Sequence, residues 1–264
     1  MMRQKDMPTW MPDLLDIVFE AGHAVMSVYR SGQSHVQTKA DLSPLTDADR
    51  AAHMLLAKAL PKLQPHTAVV SEEDADSLKH RHASGQFWLI DPLDGTKEFL
   101  ARSGEFTVNV ALVEDGKALL GVVYAPALNQ MYWGGAAHGS WRKWDQQAAQ
   151  TVRVSPKLVG SLCRVVASKS HMNDDTREWI KRLGPTQLVQ AGSSLKFCRL
   201  AEGAADVYPR MGPTCEWDTA AAQAVLEGAG GGVMDLQGFA LRYGKANVLN
   251  PAFVAVGDKS WLAA

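Results

Sequence analysis

A chain of 264 residues with 46% hydrophobic side chains is long enough for one large domain or two packed halves around a full core. Its 27 basic and 28 acidic residues leave a formal net charge of −1, which excludes the basic footprint of a protein that binds nucleic-acid polymers or anionic lipid; any anionic partner is small and locally recognised. Three cysteines, Cys163, Cys198 and Cys215, form no close pair, which argues against a disulfide framework or a zinc knuckle and fits a reducing cytoplasm. Residues 1–13 mix charges with proline and do not read as a signal peptide. The long uncharged run 118–141 is broken by Pro126, Asn129, Gln130 and several glycines, so no transmembrane segment is expected.

In chain order, Leu14, Leu15, Ile17, Val18, Ala21, Ala24, Val25 and Val28 recur at helical spacing and predict an amphipathic helix over 13–29, with Gly32 just beyond it. Thr46 as N-cap, with Asp49 three residues on, opens a second helix with the stripe Ala48, Ala51, Ala52, Leu55, Leu56 and Ala59; Pro61 marks its end. Residues 67–70 read as a strand running into Ser71-Glu72-Glu73-Asp74, and the polar stretch 76–84 as a flexible surface excursion. Phe87-Trp88-Leu89-Ile90 is a short buried strand followed at once by the acidic turn Asp91-Pro92-Leu93-Asp94-Gly95-Thr96. Apolar runs at 106–113 and 118–124 flank Glu114-Asp115-Gly116-Lys117, a strong hairpin signal, and a strand at 130–133 extends the meander. The Gln-rich piece 143–150 marks a boundary between halves. Beyond it, strands at 164–167, 187–190 and 205–208 alternate with helical patterns at 174–183, 194–202 and 217–229, an α/β layer.

The acids at the strand ends carry the chemistry. Pro92 stiffens the bend that holds Asp91 and Asp94, and Gly95 lets the backbone turn where a side chain would collide. Close-set carboxylates repel unless a hard cation offsets them, and Mg²⁺ takes carboxylate and carbonyl oxygens in this way. An EF-hand loop is excluded by the spacing and the missing closing Glu. An aspartyl-phosphate enzyme sets its acids two apart rather than three, so Asp91 is poorly set as a nucleophile. Taken alone, the six residues also fit a plain acidic β-turn, Glu72 a solvated loop, Asp218 a helix cap and Asp49 a capping partner. Together, Glu72, Asp91, Asp94 and Asp218 form an oxygen-only donor set with no His or Cys, which suits Mg²⁺.

At this point the sequence resembles the inositol monophosphatase-like superfamily of metal-dependent, lithium-sensitive phosphatases. The resemblance rests on Ser71-Glu72-Glu73, on Asp91-Pro92-Leu93-Asp94-Gly95-Thr96, and on Trp217-Asp218-Thr219-Ala220-Ala221 followed by Ala229-Gly230-Gly231. Within it, Lys97-Glu98-Phe99, Gly104-Glu105-Phe106-Thr107-Val108-Asn109, Gly192-Ser193-Ser194-Leu195-Lys196-Phe197-Cys198 and Tyr208-Pro209-Arg210 most resemble the CysQ-type 3′(2′),5′-bisphosphate nucleotidases. The resemblance runs from about residue 13 to 253. It implies an α/β (α+β) fold, a layered αβαβα sandwich of the inositol monophosphatase/fructose-1,6-bisphosphatase type. Its N-terminal half, 1–145, would carry most metal ligands, and its C-terminal half, 146–264, the substrate-binding residues and the last ligand.

What the resemblance implies for the site is specific. Two or three Mg²⁺ ions are expected on Glu72, Asp91, the Leu93 carbonyl, Asp94 and Asp218, with Asp49 and Thr96 as the catalytic pair that orients and deprotonates the attacking water. The amides of Gly95 and Thr96 fall where the family binds the scissile phosphate. His171, Ser193, Ser194 and Lys196 resemble the residues that hold the nucleotide and its 5′-phosphate, while Glu72, Leu93, Asp94 and Asp218 belong to the substrate site as well. Arg210 stands where related inositol phosphatases place an acid for a sugar hydroxyl, and a guanidinium there suits a second phosphate. The implied activity is hydrolysis of adenosine 3′,5′-bisphosphate to AMP, linked to sulfur assimilation, by a cytoplasmic monomer or homodimer or one peripheral to the inner membrane face. The alternatives are an inositol 1-phosphate, fructose 1,6-bisphosphate or related sugar-phosphate phosphatase, and a non-catalytic phosphate-binding module. The presence of every required acid disfavours the last.

Overall fold

Two long helices open the chain and cover one face of a large sheet. The computed structural model describes residues 6–262 apart from 33–35, 39–43, 83, 159 and 168–171. Helix α1 (Met11–Ser31) starts on Pro12 in its first turn and stops at Gly32 in the left-handed region, burying Leu14, Val18, Ala21 and Val25. A short ribbon pairs β1 (Val36–Thr38) with β2 (Pro44–Thr46), and α2 (Asp47–Leu63) follows it. Thr46 and Asp49 close the expected capping box at its start. Pro61 lies inside the last turn, so the helix runs two residues past the expected stop; burial of Leu56 and Leu60 seats that turn despite the missing donor.

The first sheet has seven strands in sequential order: β3 (Ala68–Ser71), β4 (Gln86–Asp94), β5 (Thr107–Glu114), β6 (Lys117–Ala125), β7 (Gln130–Gly135), β8 (Gly139–Trp144) and β9 (Gln150–Thr151). Only the β3–β4 pair is parallel; the others are antiparallel. Strand β4 is apolar without alternation because both its faces are covered. Trp88 and Ile90 pack under α1 and α2, while Phe87 and Leu89 pack toward the other side. Each fully buried large apolar side chain stabilises by about 1.5–3 kcal/mol, so the strand that carries Asp91 is one of the most firmly held in the molecule. Strands β8 and β9 prolong the sheet through the Gln-rich stretch, where polar outward-facing residues conceal the pattern.

The second sheet contains β10 (Cys163–Ala167), β11 (Thr186–Gln190), β12 (Val207–Arg210), β13 (Gly232–Asp235) and β14 (Phe253–Val256) in the order β11-β10-β12-β14-β13. Helix α4 (Asp174–Lys181) contacts β12, and α5 (Leu195–Ala201) and α6 (Ala220–Gly228) pack together between the sheets. The layers are therefore α1/α2, first sheet, α5/α6, second sheet and α4, an αβαβα sandwich. Helix α6 sits very close to β6. A Cβ on Gly121 would lie 2.0 Å from the Ala221 carbonyl oxygen, which is why glycine on the strand faces small residues on the helix. In the stretch 76–84, expected as a flexible excursion, the first residues belong to a 3-10 turn, Ala75–His80, pinned by buried Ser77, whose hydroxyl accepts from the Ser71 amide at 3.0 Å.

Candidate active site

The motif at 91–96 is a bulged continuation of β4 and not a turn after it. Asp91 pairs with Asn109 and Asp94 with Thr107 on β5, with a register irregularity between them that absorbs Pro92, which has no donor for the ladder. Leu93 donates its amide to Asp91 Oδ1 at 3.0 Å. The chain then turns through Gly95 at φ 89°, where an added Cβ would lie 3.1 Å from that of Ser193, into α3 (Thr96–Leu100). Strand, bulge and turn thus aim successive polar groups into one cleft.

Glu72, from the end of β3, Asp91, and Asp218, from the turn before α6, each place one carboxylate oxygen within 4.8 Å of the others. This triad draws on segments far apart in sequence. Cys215 donates its amide to Asp218 Oδ2 at 2.7 Å and fixes that side chain. Asp94 lines the same cleft, with Oδ2 accepting from Ser194 Oγ at 2.8 Å, Asn109 Nδ2 at 3.4 Å and Thr107 Oγ1 at 3.5 Å. Thr107 Oγ1 also lies 3.0 Å from Ser193 Oγ, and Asn109 Nδ2 donates to Ser194 Oγ at 2.8 Å. Thr107 and Asn109 are functional neighbours that the motifs alone assign no role. Their signal in the sequence is two polar residues, alternating on one face of an otherwise apolar strand.

Burial and mutual repulsion dominate the electrostatics. Desolvation first, then the charges of Glu72, Asp94 and Asp218, holds the Asp91 carboxyl well above its usual range. Desolvation and the neighbouring Asp94 and Glu72 push Asp218 up to about 8, and burial raises Asp94 against the opposing pull of Lys196. Burial likewise pushes the Lys196 ammonium down to about 8, partly offset by Asp94. The folded acids therefore hold protons that unfolded ones release. Stability from this source is complete near and below the ordinary value of 3.8 and is lost as pH rises toward 8. In EDTA the Tm should fall between pH 5 and 8.5, by on the order of 5 °C, and saturating Mg²⁺ should raise the Tm most at the alkaline end. Melting curves at four pH values check this; a flat or rising Tm in EDTA would contradict it.

The cleft, about 290 Å³, is lined by the triad and by Leu93, Asp94, Gly95 and Thr96, with Ser193, Lys196, Tyr208 and Arg210 among the other lining residues. Arg210 donates an Nη2 hydrogen bond to the Pro213 carbonyl at 3.1 Å, and its Nε is buried with no hydrogen-bond partner among the described residues. Two expected residues do not line the cleft themselves. Ser194 acts on it through Asp94, and buried Asp49 accepts from the Thr46 amide at 2.7 Å and hydroxyl at 2.6 Å. His171 lies outside the described residues. Among those described, no helix is long and apolar enough to cross a membrane.

Comparison with known proteins is consistent across sequence and fold. The inositol monophosphatase family model matches residues 12–262. The 3′(2′),5′-bisphosphate nucleotidase CysQ of Escherichia coli K12 is 47% identical over 238 residues, 88% of this chain and 94% of its own length. Its counterpart from Salmonella typhimurium is 46% identical with the same coverage. The crystal structure of CysQ from Bacteroides thetaiotaomicron, a bacterial member of the inositol monophosphatase family, superposes with a TM-score of 0.80 at 35% identity, over 92% of this chain and 95% of that one. The Thermotoga maritima IMPase gives 0.74 at 26% identity, over 94% and 91%. Since the family match takes in every segment that supplies an acid to the cleft, and the relatives span nearly the whole fold, the chain belongs to the inositol monophosphatase family.

Proposed function

We propose that the protein is a Mg²⁺-dependent 3′(2′),5′-bisphosphate nucleotidase that hydrolyses adenosine 3′,5′-bisphosphate to AMP and phosphate. Support comes from the identity to enzymes of that name. The observation that carries the choice of substrate is the pairing, in one cleft, of an acidic triad with Lys196 and with Arg210, whose buried Nε has no hydrogen-bond partner among the described residues. Carboxylates need cations and cations need anions, and a bisphosphate with Mg²⁺ satisfies both sets at once.

The residues fit Mg²⁺: the donors are oxygens only, no His or Cys lines the described cleft, and the raised carboxyls are the mark of a repulsion that a hard dication relieves. Glu72, Asp91, Asp94, Asp218 and the Leu93 carbonyl are the donors that would hold two or three ions. When bound, Mg²⁺ supplies neutralisation of the phosphate, acidification of water and stabilisation of the leaving oxygen. Thr96, whose hydroxyl donates to the Leu93 carbonyl at 3.5 Å, keeps oxygen lone pairs with which to orient the attacking water; Asp49 is assigned to take the water's proton on sequence grounds. The water oxygen bonds to phosphorus as the bond to the ribose 3′ oxygen breaks, and that oxygen takes a proton from solvent while Asp49 returns to solvent the one it accepted. The amides of Gly95 and Thr96 hold the scissile phosphate. Arg210 and Lys196 hold the second phosphate, with Ser193 and Ser194, and His171 on sequence grounds, placed around the nucleotide. Lys196, with a pKa of about 8, remains largely protonated at neutral pH. The setting we assign is the cytoplasm, where the product of sulfur assimilation is recycled; the three cysteines are free, in keeping with it.

Phosphate release from adenosine 3′,5′-bisphosphate, followed against Mg²⁺ concentration, tests the reading. Turnover to 5′-AMP that vanishes in EDTA is expected, and no turnover at any Mg²⁺ concentration would overturn it. Thr96→Ala should lower kcat by about 10²–10⁴-fold with little change in KM. Steady-state kinetics check this, and a rise in KM at constant kcat would make Thr96 a binding residue only.

A further inference from the structure

Glu216 is fully buried two residues before Asp218, yet it does not line the cleft. Its Oε2 accepts from the Gly244 amide at 2.9 Å, and its Oε1 from the Lys245 amide at 3.0 Å and the Lys245 ammonium at 2.6 Å. Arg81 Nε lies 3.3 Å from Oε2, on a side chain only 6% exposed. The same guanidinium donates from Nη2 to the carbonyls of Lys245 at 2.8 Å and Ala246 at 3.3 Å. One carboxylate and one guanidinium thereby knot three segments of the chain.

The two arms of this knot lead to two of the metal-site acids. Arg81 directly follows the 3-10 turn that leaves Glu72, and buried Ser77 pins that turn to Ser71. On the other arm, Asn250 takes the Lys245 ammonium at 3.2 Å on Oδ1 and donates to the Cys215 carbonyl at 2.7 Å, while the Cys215 amide holds Asp218. Glu72 follows a strand of the first sheet, and Asp218 follows the second-sheet strand β12. Their separation is set by contacts between halves of the sandwich, and Arg81 with Glu216 is a buried one. We propose that Arg81 and Glu216 are positioning residues that fix the spacing of Glu72 and Asp218 for the metal, an inference that rests on the metal-site reading above. Pairing also serves the charge balance: with Arg81 and Lys245 against it, Glu216 adds no net negative charge beside a crowded cluster of acids.

The test is Mn²⁺ binding to the substrate-free protein, read from the loss of the free-ion paramagnetic resonance signal, with the metal-free Tm alongside. Arg81→Gln should weaken Mn²⁺ binding about 10–100-fold, the range for groups that orient metal ligands. Arg81→Lys keeps the charge but not the fork that spans Glu216 and the Lys245 carbonyl, and should fall between; it carries the comparison if the Gln variant does not accumulate. Arg142→Gln breaks a partly buried pair of 2.9 Å with Glu202, remote in the chain from every acid of the cluster, and should lower the Tm while leaving Mn²⁺ affinity as in the parent. Parent-like Mn²⁺ affinity in both Arg81 variants would overturn the positioning role and leave the metal site standing. Failure of the parent protein to bind Mn²⁺ would overturn both.

Discussion

Asp91→Asn should reduce kcat/KM for adenosine 3′,5′-bisphosphate by at least about a thousandfold, because roughly 4 kcal/mol of charge stabilisation at the phosphate depends on this carboxylate holding its cation. The substitution keeps shape and removes charge. Asp91 sits within a strand buried on both faces, its Oδ1 accepting from the Leu93 amide, so an amide oxygen can keep that bond. The sign of the stability change separates loss of function from loss of fold. Asp91 faces the charges of Glu72, Asp94, Asp218 and Glu73, so neutralising it relieves repulsion in the metal-free protein. In EDTA at pH 8 the variant should melt no lower than the parent, and its Mg²⁺-induced rise in Tm should shrink. Activity within tenfold of the parent at saturating Mg²⁺ would remove Asp91 from the site.

Arg210→Ala should impair the bisphosphate selectively. A charge-assisted hydrogen bond to phosphate contributes about 1.5–3 kcal/mol, and about 1.4 kcal/mol is tenfold, so kcat/KM for adenosine 3′,5′-bisphosphate should fall about ten- to a hundredfold or more. For 3′-AMP, which lacks the second phosphate, the change should be small. Among the described residues Arg210 donates to its own loop, to the Pro213 carbonyl, and its buried Nε in the cleft wall has no partner, which is the arrangement of a cation placed for a ligand. Kinetics on both substrates check this. Equal losses on both would make Arg210 a structural residue and reopen the choice between nucleotide and inositol phosphates.

The sequence carried the architecture where one physical signal dominated. Helix α1 declared itself through periodic apolar residues and a terminal glycine, α2 through Thr46 and Asp49, and the β5–β6 hairpin through Asp115-Gly116 between apolar runs. It failed where two signals conflicted. The acid-proline-glycine composition of 91–96 is that of a turn, but pairing with β5 keeps Asp91 and Asp94 in the sheet, an outcome decided by a partner strand and not by local preference. Strands β8, β9 and β13 are short or half-exposed and lack an apolar run of their own, whereas β14 is a buried apolar run, Phe253-Val254-Ala255-Val256, too short for periodicity to separate a strand from a buried helix end. At the site, the acids were visible because carboxylates at strand ends are costly without a counter-charge. Their geometry was not, since Glu72 meets Asp91 only through the pairing of β3 with β4, and Asp218 joins them only when the segment before α6 packs against that sheet. The Arg81–Glu216 knot was hidden for the same reason, in a stretch that reads as polar surface.

The most direct test of the account is the relative kcat/KM for adenosine 3′,5′-bisphosphate, inositol 1-phosphate and fructose 1,6-bisphosphate at equal concentration and saturating Mg²⁺. The account predicts that adenosine 3′,5′-bisphosphate exceeds both others by at least about tenfold, the worth of one charge-assisted phosphate contact, and that all three rates disappear in EDTA. A preference for inositol 1-phosphate, or phosphate release that survives removal of the metal, would contradict it.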